Sequence, residues 1–589
     1  MTAKVVALQI KPGIQRDGTQ FNSPTYVDGQ WVRFQNGLPK KMGGVNGIFL
    51  NASGISRGMY MSSLNGLNYV VSGYSGNLEQ WVTSNQYGIG SGPTAFTLSN
   101  FTSNANNLWQ FEIGYDVTGG NANKLIAHPG QNLSAIDSTV NTRPLFGDFT
   151  STTMAAVGIF TATGTTTSGS PNVTFATTIA AIGAGVSVTG TGIPSNTTVL
   201  SASTSGGVWT AVLSANATAS GSTTLTFDNN ISVSGGVVML HPYLFVYGNN
   251  GLIQNCAAGD FNNWTSADAN ANNVSTGKVV KGLPLRGGTT SPAGLFWTLD
   301  SVVRVSYAPS TVNGINYYWK YDLITSQSSI MSSQCVIEYD GIFYWVGVDR
   351  FLMYNGVVQE VPNSQNQNWF FDNLNYNQRQ KVWVTKVPRW GEIWFFYPRG
   401  NATECTDAII YNVREKTWYD AGQSPLAQRS AGTYTEVFHY PIMGGTTANS
   451  SGTYTLWQHE IGTDQIYTNQ VDAINSYFET PSLGTYAGLV GTTQQPGDNV
   501  WTRCERVEPD FVQTGTMSVV VTGKGYADDV DITSDPYNFD PTTLKIDMRE
   551  QRRELRLRFI SNTVGGNYFM GKTLLSLDTG DVRSTANPA

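Results

Sequence analysis

Short apolar runs separated by glycine, asparagine and aspartate turns recur along this chain, and each pair of runs predicts a β-hairpin. The clearest is Gly236 to Tyr247, where Val237–Leu240 is broken by His241-Pro242 and resumes as Leu244–Tyr247. A Gly248-Asn249-Asn250-Gly251 turn returns the chain as Leu252-Ile253, and Phe261 and Trp264 follow as an aromatic pair able to seal one end. The same order of strand, turn and strand joins Leu67–Val71 to Leu78–Val82, Lys124–Gly130 to Leu133–Ile136, and Gly294–Trp297 to Val302–Tyr307. It recurs from Ile342–Val348 to Phe351–Tyr354, from Gly391–Tyr397 to Ala408–Asn412, and from Pro441–Gly444 to Tyr454–His459.

The later units start near 237, 293, 340, 391 and 441, a spacing of 47 to 56 residues. A beat near fifty residues is the length of a kelch-type propeller blade. A small antiparallel sheet cannot cover both its faces alone, and a ring of sheets lets each cover the next. A long β-sandwich is the alternative, but its turns come every 8–12 residues with no fifty-residue beat. The expected fold is all-β: a propeller with an inserted module and a C-terminal β-domain.

Residues 1–50 alternate turn pairs (Asp17-Gly18, Asp28-Gly29, Asn36-Gly37, Gly43-Gly44) with the aromatics Phe21, Tyr26, Trp31 and Phe34. This arm has too little apolar surface for its own core; it either lies on its own propeller or clamps a neighbouring subunit. In the second case Trp31, Arg33 and Phe34 are the contact residues. Residues 51–156 read as the first part of the propeller and 233–470 as the second. Between them, 157–232 loses nearly all its aromatics and every charge except Asp228, yet keeps period-two alternation in Val208–Leu213 and Thr223–Phe227. That alternation favours an inserted Ig-like β-sandwich over a disordered Thr/Ser stalk.

Residues 471–589 read as the C-terminal β-domain, containing the most charged stretch of the chain, Arg549 to Phe559. Read with period two, Leu555, Leu557 and Phe559 face inward while Glu554, Arg556 and Arg558 face out. The outer row is either a solvated strand face or a salt-bridged subunit contact through Arg556 and Arg558.

Composition narrows the function classes. The chain has 589 residues, 63 of them Gly, with 12% aromatic and only 13% charged residues. A net charge of −7 argues against a basic nucleic-acid grip. No apolar run is long enough to span a bilayer as a helix, and the opening MTAKVVALQIKPG lacks a signal-peptide core, so neither membrane insertion nor a leader is expected. Cys256, Cys335, Cys405 and Cys504 stand singly, without CxxC or nearby His, and are expected as free thiols.

A search for chemistry yields little. His128 and His241 each precede proline in the repeats and read as structural; His439 and His459 fall in or near the last unit. No HExxH, GxSxG or P-loop pattern occurs. Asp340, Asp349, Glu392 and Asp407 are the candidate glycosidase acids, but they sit where successive units turn, and aspartate is itself a turn former. No catalytic residue, cofactor or metal is expected. Tyr317-Tyr318-Trp319 and Trp369-Phe370-Phe371 are the best candidates for exposed glycan-binding aromatics; as inter-sheet core they need no such role.

Several phrases, in order, resemble the tail hub or nozzle proteins of short-tailed bacteriophages, also described as tail tubular or packaged-DNA stabilisation proteins. They are VDGQWVRFQNGLPKKMGG, HPYLFVYGNNGLIQNCAAGDFNNWTSADAN with VKGLPLRGG, and FDPTTLKIDMREQRRELRLRFISNTVGGNYFMGKTLL. The resemblance implies a non-enzymatic virion protein made in the bacterial cytoplasm and assembled as a ring, usually of six copies. It implies a place below the portal-adaptor ring, contact with tail fibre, spike or needle proteins, and a channel that retains and then conducts double-stranded DNA. A conduit must not grip the phosphate backbone. Asp528, Asp529, Asp531 and Asp535 are therefore the expected channel-lining residues. A tail-associated receptor- or glycan-binding adhesin is the alternative function.

Overall fold

The computed structural model describes residues 4–18, 23–84, 91–99, 101–103, 108–117, 122–130, 141–285, 291–436, 438–484, 501–526 and 529–580. They fall into two compact units: residues 52–360, and residues 1–51 with 361–589.

The first unit is a β-propeller carrying an inserted module. Its five propeller sheets follow chain order, and their first strands are Met59–Leu64, Gln110–Asp116, Gly236–Leu240, Val279–Pro284 and Val336–Tyr339. Each sheet then adds antiparallel strands outward, and Thr97–Leu98 joins the outer edge of the second sheet in parallel. Middle strands carry the bulk that fills the space between sheets: Tyr247 meets Phe296 at 5.7 Å and Trp297 meets Trp345 at 5.7 Å between ring centres. Burial on both faces explains why these strands read as continuous apolar runs, with all five residues of Tyr243–Tyr247 buried. Gln334, just before the fifth sheet, closes the circuit. Its amide donates to the carbonyls of Arg57 (2.6 Å) and Trp109 (3.1 Å), which precede the first and second sheets.

The fifty-residue beat is sharper in the structure than in the sequence. His241-Pro242 is itself the hairpin turn, and Gly236–Leu240 pairs with Tyr243–Tyr247 across it. The unit near 237 thus starts on a first strand and the later ones on second strands. Second strands begin at Tyr243, Ala293, Ile342, Glu392 and Ile442, 49 or 50 residues apart. The beat therefore runs on past residue 360, although Trp383–Val387 and the strands after it belong to the other unit. The expected second propeller segment, 233–470, is divided between the two units at 360. Sequence period reports the repeated hairpin, not the body that each copy joins.

The module spans Ile159–Asp228, six strands in one sheet folded round its own core of Val173, Phe175, Val188, Leu213, Leu225 and Phe227. A Ser187–Thr198 bridge stitches its two edges together. Its ends meet, since Ile159 pairs with Asp228. Asp228, its one charge, is held by Arg143 at 2.7 Å. Without these residues the distance from Ala122 to Tyr243, both second-strand starts, drops from 121 to 51 residues, one beat.

The second unit is built from both chain ends. Ile546–Ser561, sixteen residues long, is the central strand. Its first half pairs with Thr502–Glu508 and its second half with Met517–Lys524 and Ser476–Glu479. Glu554, at φ +47°, marks the bend where the partners change. The arm completes this unit: Lys4–Ala7 pairs with Leu574–Thr579, and Asp28–Gln30 pairs with Ser476–Glu479. Val32–Gln35 and Leu38–Lys41 form a hairpin across Asn36-Gly37, whose positive φ angles (+51° and +77°) are those an Asn-Gly turn supplies. Tyr26, Phe34, Phe478, Phe559 and Tyr568 interlock in the core beneath.

Candidate functional site

The five residues expected at a subunit contact lie in one unit, in two separate networks and turned inside the chain. Trp31, Arg33 and Phe34 are fully buried and Arg556 is 2% exposed. Such residues have no surface left to offer a neighbour, so the contact assigned to these four is corrected to an internal one; only Arg558 is partly accessible. Trp31 packs against Trp394 at 5.6 Å, and its indole N–H donates to the Gly43 carbonyl.

Arg33 bridges Glu392 (2.9 Å) and Glu460 (2.6 Å), with Trp390 beneath its guanidinium. Burial pushes the Glu392 carboxyl up, opposed chiefly by Arg33, and it also accepts from the Trp394 and Tyr419 side chains. A second network runs from the arm to the C-terminal strand. Asp28 accepts from Arg16 and Arg558, and Glu479 accepts from Arg558 and forms an ion pair with Arg556 at 3.1 Å. Most of the outward row of the period-two pattern is thus covered as well, with Arg558 left partly accessible. Sequence spacing could not find this, because every counter-ion lies tens or hundreds of residues away.

Asp528 lies outside the described residues. Asp529, Asp531 and Asp535 are exposed, and Asp531 is also drawn to Arg556 at 2.6 Å. The candidate acids do not converge. Glu392 and Asp407 are buried supports of one sheet, and Asp340 and Asp349 are exposed turn residues of the propeller unit. Of the aromatic triplets, Trp319 and Phe370 are core; Tyr317, 48% exposed, lies on the hairpin Val302–Val312/Ile315–Thr325.

The two His-Pro steps are not equivalent. His128 ends a second strand, fully buried; its Nδ1 accepts from the Gly130 N–H, and burial pushes its pKa down to about 4. His241 sits in the turn after a first strand and is exposed. It lines a cleft of about 380 Å³ over the first strands of the second, third and fourth sheets, with Glu112, Tyr115, Asn123, Met239 and Pro284.

Glu112 carries the cleft's electrostatics. Burial raises its pKa to about 7, and Lys281 on the fourth sheet pulls the other way. Burial lowers Lys281 in turn, opposed by Glu112. Tyr60 on the first sheet also feels Glu112. Side chains from three first strands thus face one axis. Glu112 is the one carboxylate among the described lining residues, so the cleft offers hydrogen-bonding and aromatic surface rather than the acid pair of a glycosidase. Among the described residues there is no His/Cys/Asp/Glu group able to hold a metal, all four cysteines are free and buried, and no helix is long and apolar enough to cross a membrane.

No protein-family model matches the chain, and no curated protein does. Solved structures give faint likenesses. An endosialidase of phage phi92 aligns at 12% identity and TM-score 0.31, covering 85% of this chain and 75% of its own. A Trypanosoma rangeli sialidase aligns at 9% identity and TM-score 0.26, covering 99% and 97%. An exo-β-1,3-galactanase of Phanerochaete chrysosporium aligns at 10% identity and TM-score 0.21, covering 58% and 94%. Scores this low carry no assignment of fold or activity; the propeller rests on the strand order and packing above.

Proposed function

We propose that the chain is a structural component of a short phage tail, a nozzle or hub ring that extends the DNA channel below the portal-adaptor. One observation carries this reading. Two of the three phrases that resemble the hub and nozzle proteins lie at opposite ends of the sequence, yet the arm and the C-terminal strands that carry them interlock in a single unit. They behave as one functional piece rather than as scattered similarity. In this reading the partners are further copies of the chain, the adaptor ring, and fibre, spike or needle proteins. Duplex DNA passes a wall with net negative charge, and exposed Asp529 and Asp535 remain candidates for it.

Native mass spectrometry and electron microscopy of the purified full chain test this reading. Six copies in a ring with an open centre are expected; a trimer or a stable monomer at micromolar concentration overturns it. Tight, salt-sensitive DNA binding by the ring would overturn the proposed wall charge, since each gripped phosphate adds affinity through counter-ion release.

The second reading is a tail-associated receptor- or glycan-binding protein. It is favoured by the cleft beside Glu112, where Tyr115, Asn123 and His241 give an aromatic and hydrogen-bonding lining. The solved structures named above are glycan-acting proteins, one of them from a phage, and stand nearer to this reading than to the first. Their scores give it no weight. A trimer that binds host-surface polysaccharide would decide for it.

A further inference from the structure

In the unit built from the chain ends, three buried or nearly buried arginines each have two carboxylates: Arg16 has Asp28 and Asp420, Arg33 has Glu392 and Glu460, and Arg556 has Glu479 and Asp531. Arg429 is the contrast. It opens the strand Arg429–Thr433 and is only 4% exposed. Its Nε donates to Nε2 of His459 (2.9 Å) and its Nη1 to the Gln428 carbonyl (3.0 Å). Its guanidinium lies 5.1 Å from the Trp457 ring centre. His459 accepts through Nε2 and is therefore neutral, and no described carboxylate stands against the cation. Burial alone pulls the Arg429 pKa down to about 9. A buried, uncompensated charge is costly, and a site that keeps one is poised for an anion from outside.

Arg429 borders a pocket of about 350 Å³, within the size range of small-ligand sites. Trp457 and Tyr467, 5.9 Å apart, form one part of its lining, and Asn449, Gln470 and Asp472 supply amide and carboxylate groups. Asp472 is exposed at the rim and tied to the Gln470 amide at 2.9 Å.

We propose that this pocket binds an acidic sugar, with the sugar carboxylate on Arg429. A guanidinium matches a carboxylate fork to fork. Aromatic rings suit the C–H faces of a pyranose, and amides and a carboxylate pair with its hydroxyls. The rim acid Asp472 argues against a multiply charged phosphate, which it would repel, while it accepts hydrogen bonds from sugar hydroxyls. The proposal stands apart from the assembly: it holds for a ring-forming protein and for a separate adhesin alike.

Calorimetric titration of the full chain with two acid–neutral pairs, glucuronate against glucose and galacturonate against galactose, tests it, with inorganic phosphate as a third arm. At least one acid is expected to bind roughly tenfold or more tightly than its neutral partner and than phosphate. Arg429→Met should abolish the preference for the acid. Its fold should survive, because the substitution removes an unpaired buried charge. If that variant does not fold, Arg429→Lys serves, with a reduced but persistent preference. Neither acid binding up to high-millimolar concentration, equal binding of acid and neutral sugars, phosphate binding as tightly as the acid, or a preference unchanged in Arg429→Met would each overturn the proposal. Subunit counting does not bear on it, so the two readings fail separately.

Discussion

Buried charge is where single residues matter most in this protein. Arg33 is wholly enclosed with Glu392 and Glu460, and removing one partner of a buried pair leaves the others uncompensated. Arg33→Met is expected to cost about 3–5 kcal/mol in denaturant unfolding. Arg350→Ala, which removes a surface pair with Asp349 at 2.8 Å, should change the midpoint immeasurably. Arg556→Glu would set a third carboxylate beside Glu479 and Asp531, so it should destabilise the fold itself; a normal unfolding midpoint would contradict the burial of Arg556. Two titrating residues of the propeller unit act with opposite sign. Glu112, raised from 4.5 to about 7, adds stability that is complete below pH 4.5 and lost as pH rises through 7. Glu112→Gln should therefore gain in melting temperature over the wild type as pH rises across that window. His128, lowered from 6.5 to about 4, adds stability present above pH 6.5 and lost as pH falls towards 4. His128→Asn should melt lower at neutral pH, where its bonds to Gly130 and Thr142 are lost, yet fall less steeply in acid.

Among the elements, the inserted module is the most separable. Its core is its own, its end strands pair at Ile159 and Asp228, and the only charge it loses to excision is the partner of Arg143. Replacing 159–228 by a short glycine–serine link should leave the propeller folded, since insertions whose ends meet cost the scaffold little. Circular dichroism and a cooperative melt check this; an unfolded or aggregated product would show that the module is structural. The strand Ile546–Ser561 is the opposite case. It serves three partner strands, so a proline at Leu557, where the backbone pairs with Val521, should unfold its unit rather than trim it.

For the whole molecule, continuity along the sequence decides which piece folds alone. The propeller unit is one stretch, 52–360, with its circuit closed by Gln334. Expressed by itself it should be folded and melt cooperatively. The other unit is discontinuous: 361–589 lacks Lys4–Ala7, Asp28–Gln30 and the Asn36-Gly37 hairpin. That fragment should remain unfolded until residues 1–51 are supplied in trans, which amide exchange or limited proteolysis would report. A stable 361–589 fragment would mean that the arm is an accessory.

The sequence by itself determined what depends on neighbours along the chain. Alternating apolar runs fixed most of the hairpins (the expected return strand Leu133–Ile136 lies outside the described residues), Asn36-Gly37 fixed its turn, the fifty-residue beat fixed the repeated sheet, and loss of charge between 157 and 232 marked the module. Period two also placed Leu555, Leu557 and Phe559 in the core. Tertiary structure decided everything that depends on pairing across long separations. Arg556 and Trp31 read as surface because their covers, Glu479 and Trp394, are distant in sequence. The two His-Pro steps looked alike because two residues cannot say whether they end a strand or turn a hairpin. The beat continued past residue 360 because repetition is a local property, whereas membership of a unit is set by which faces find one another.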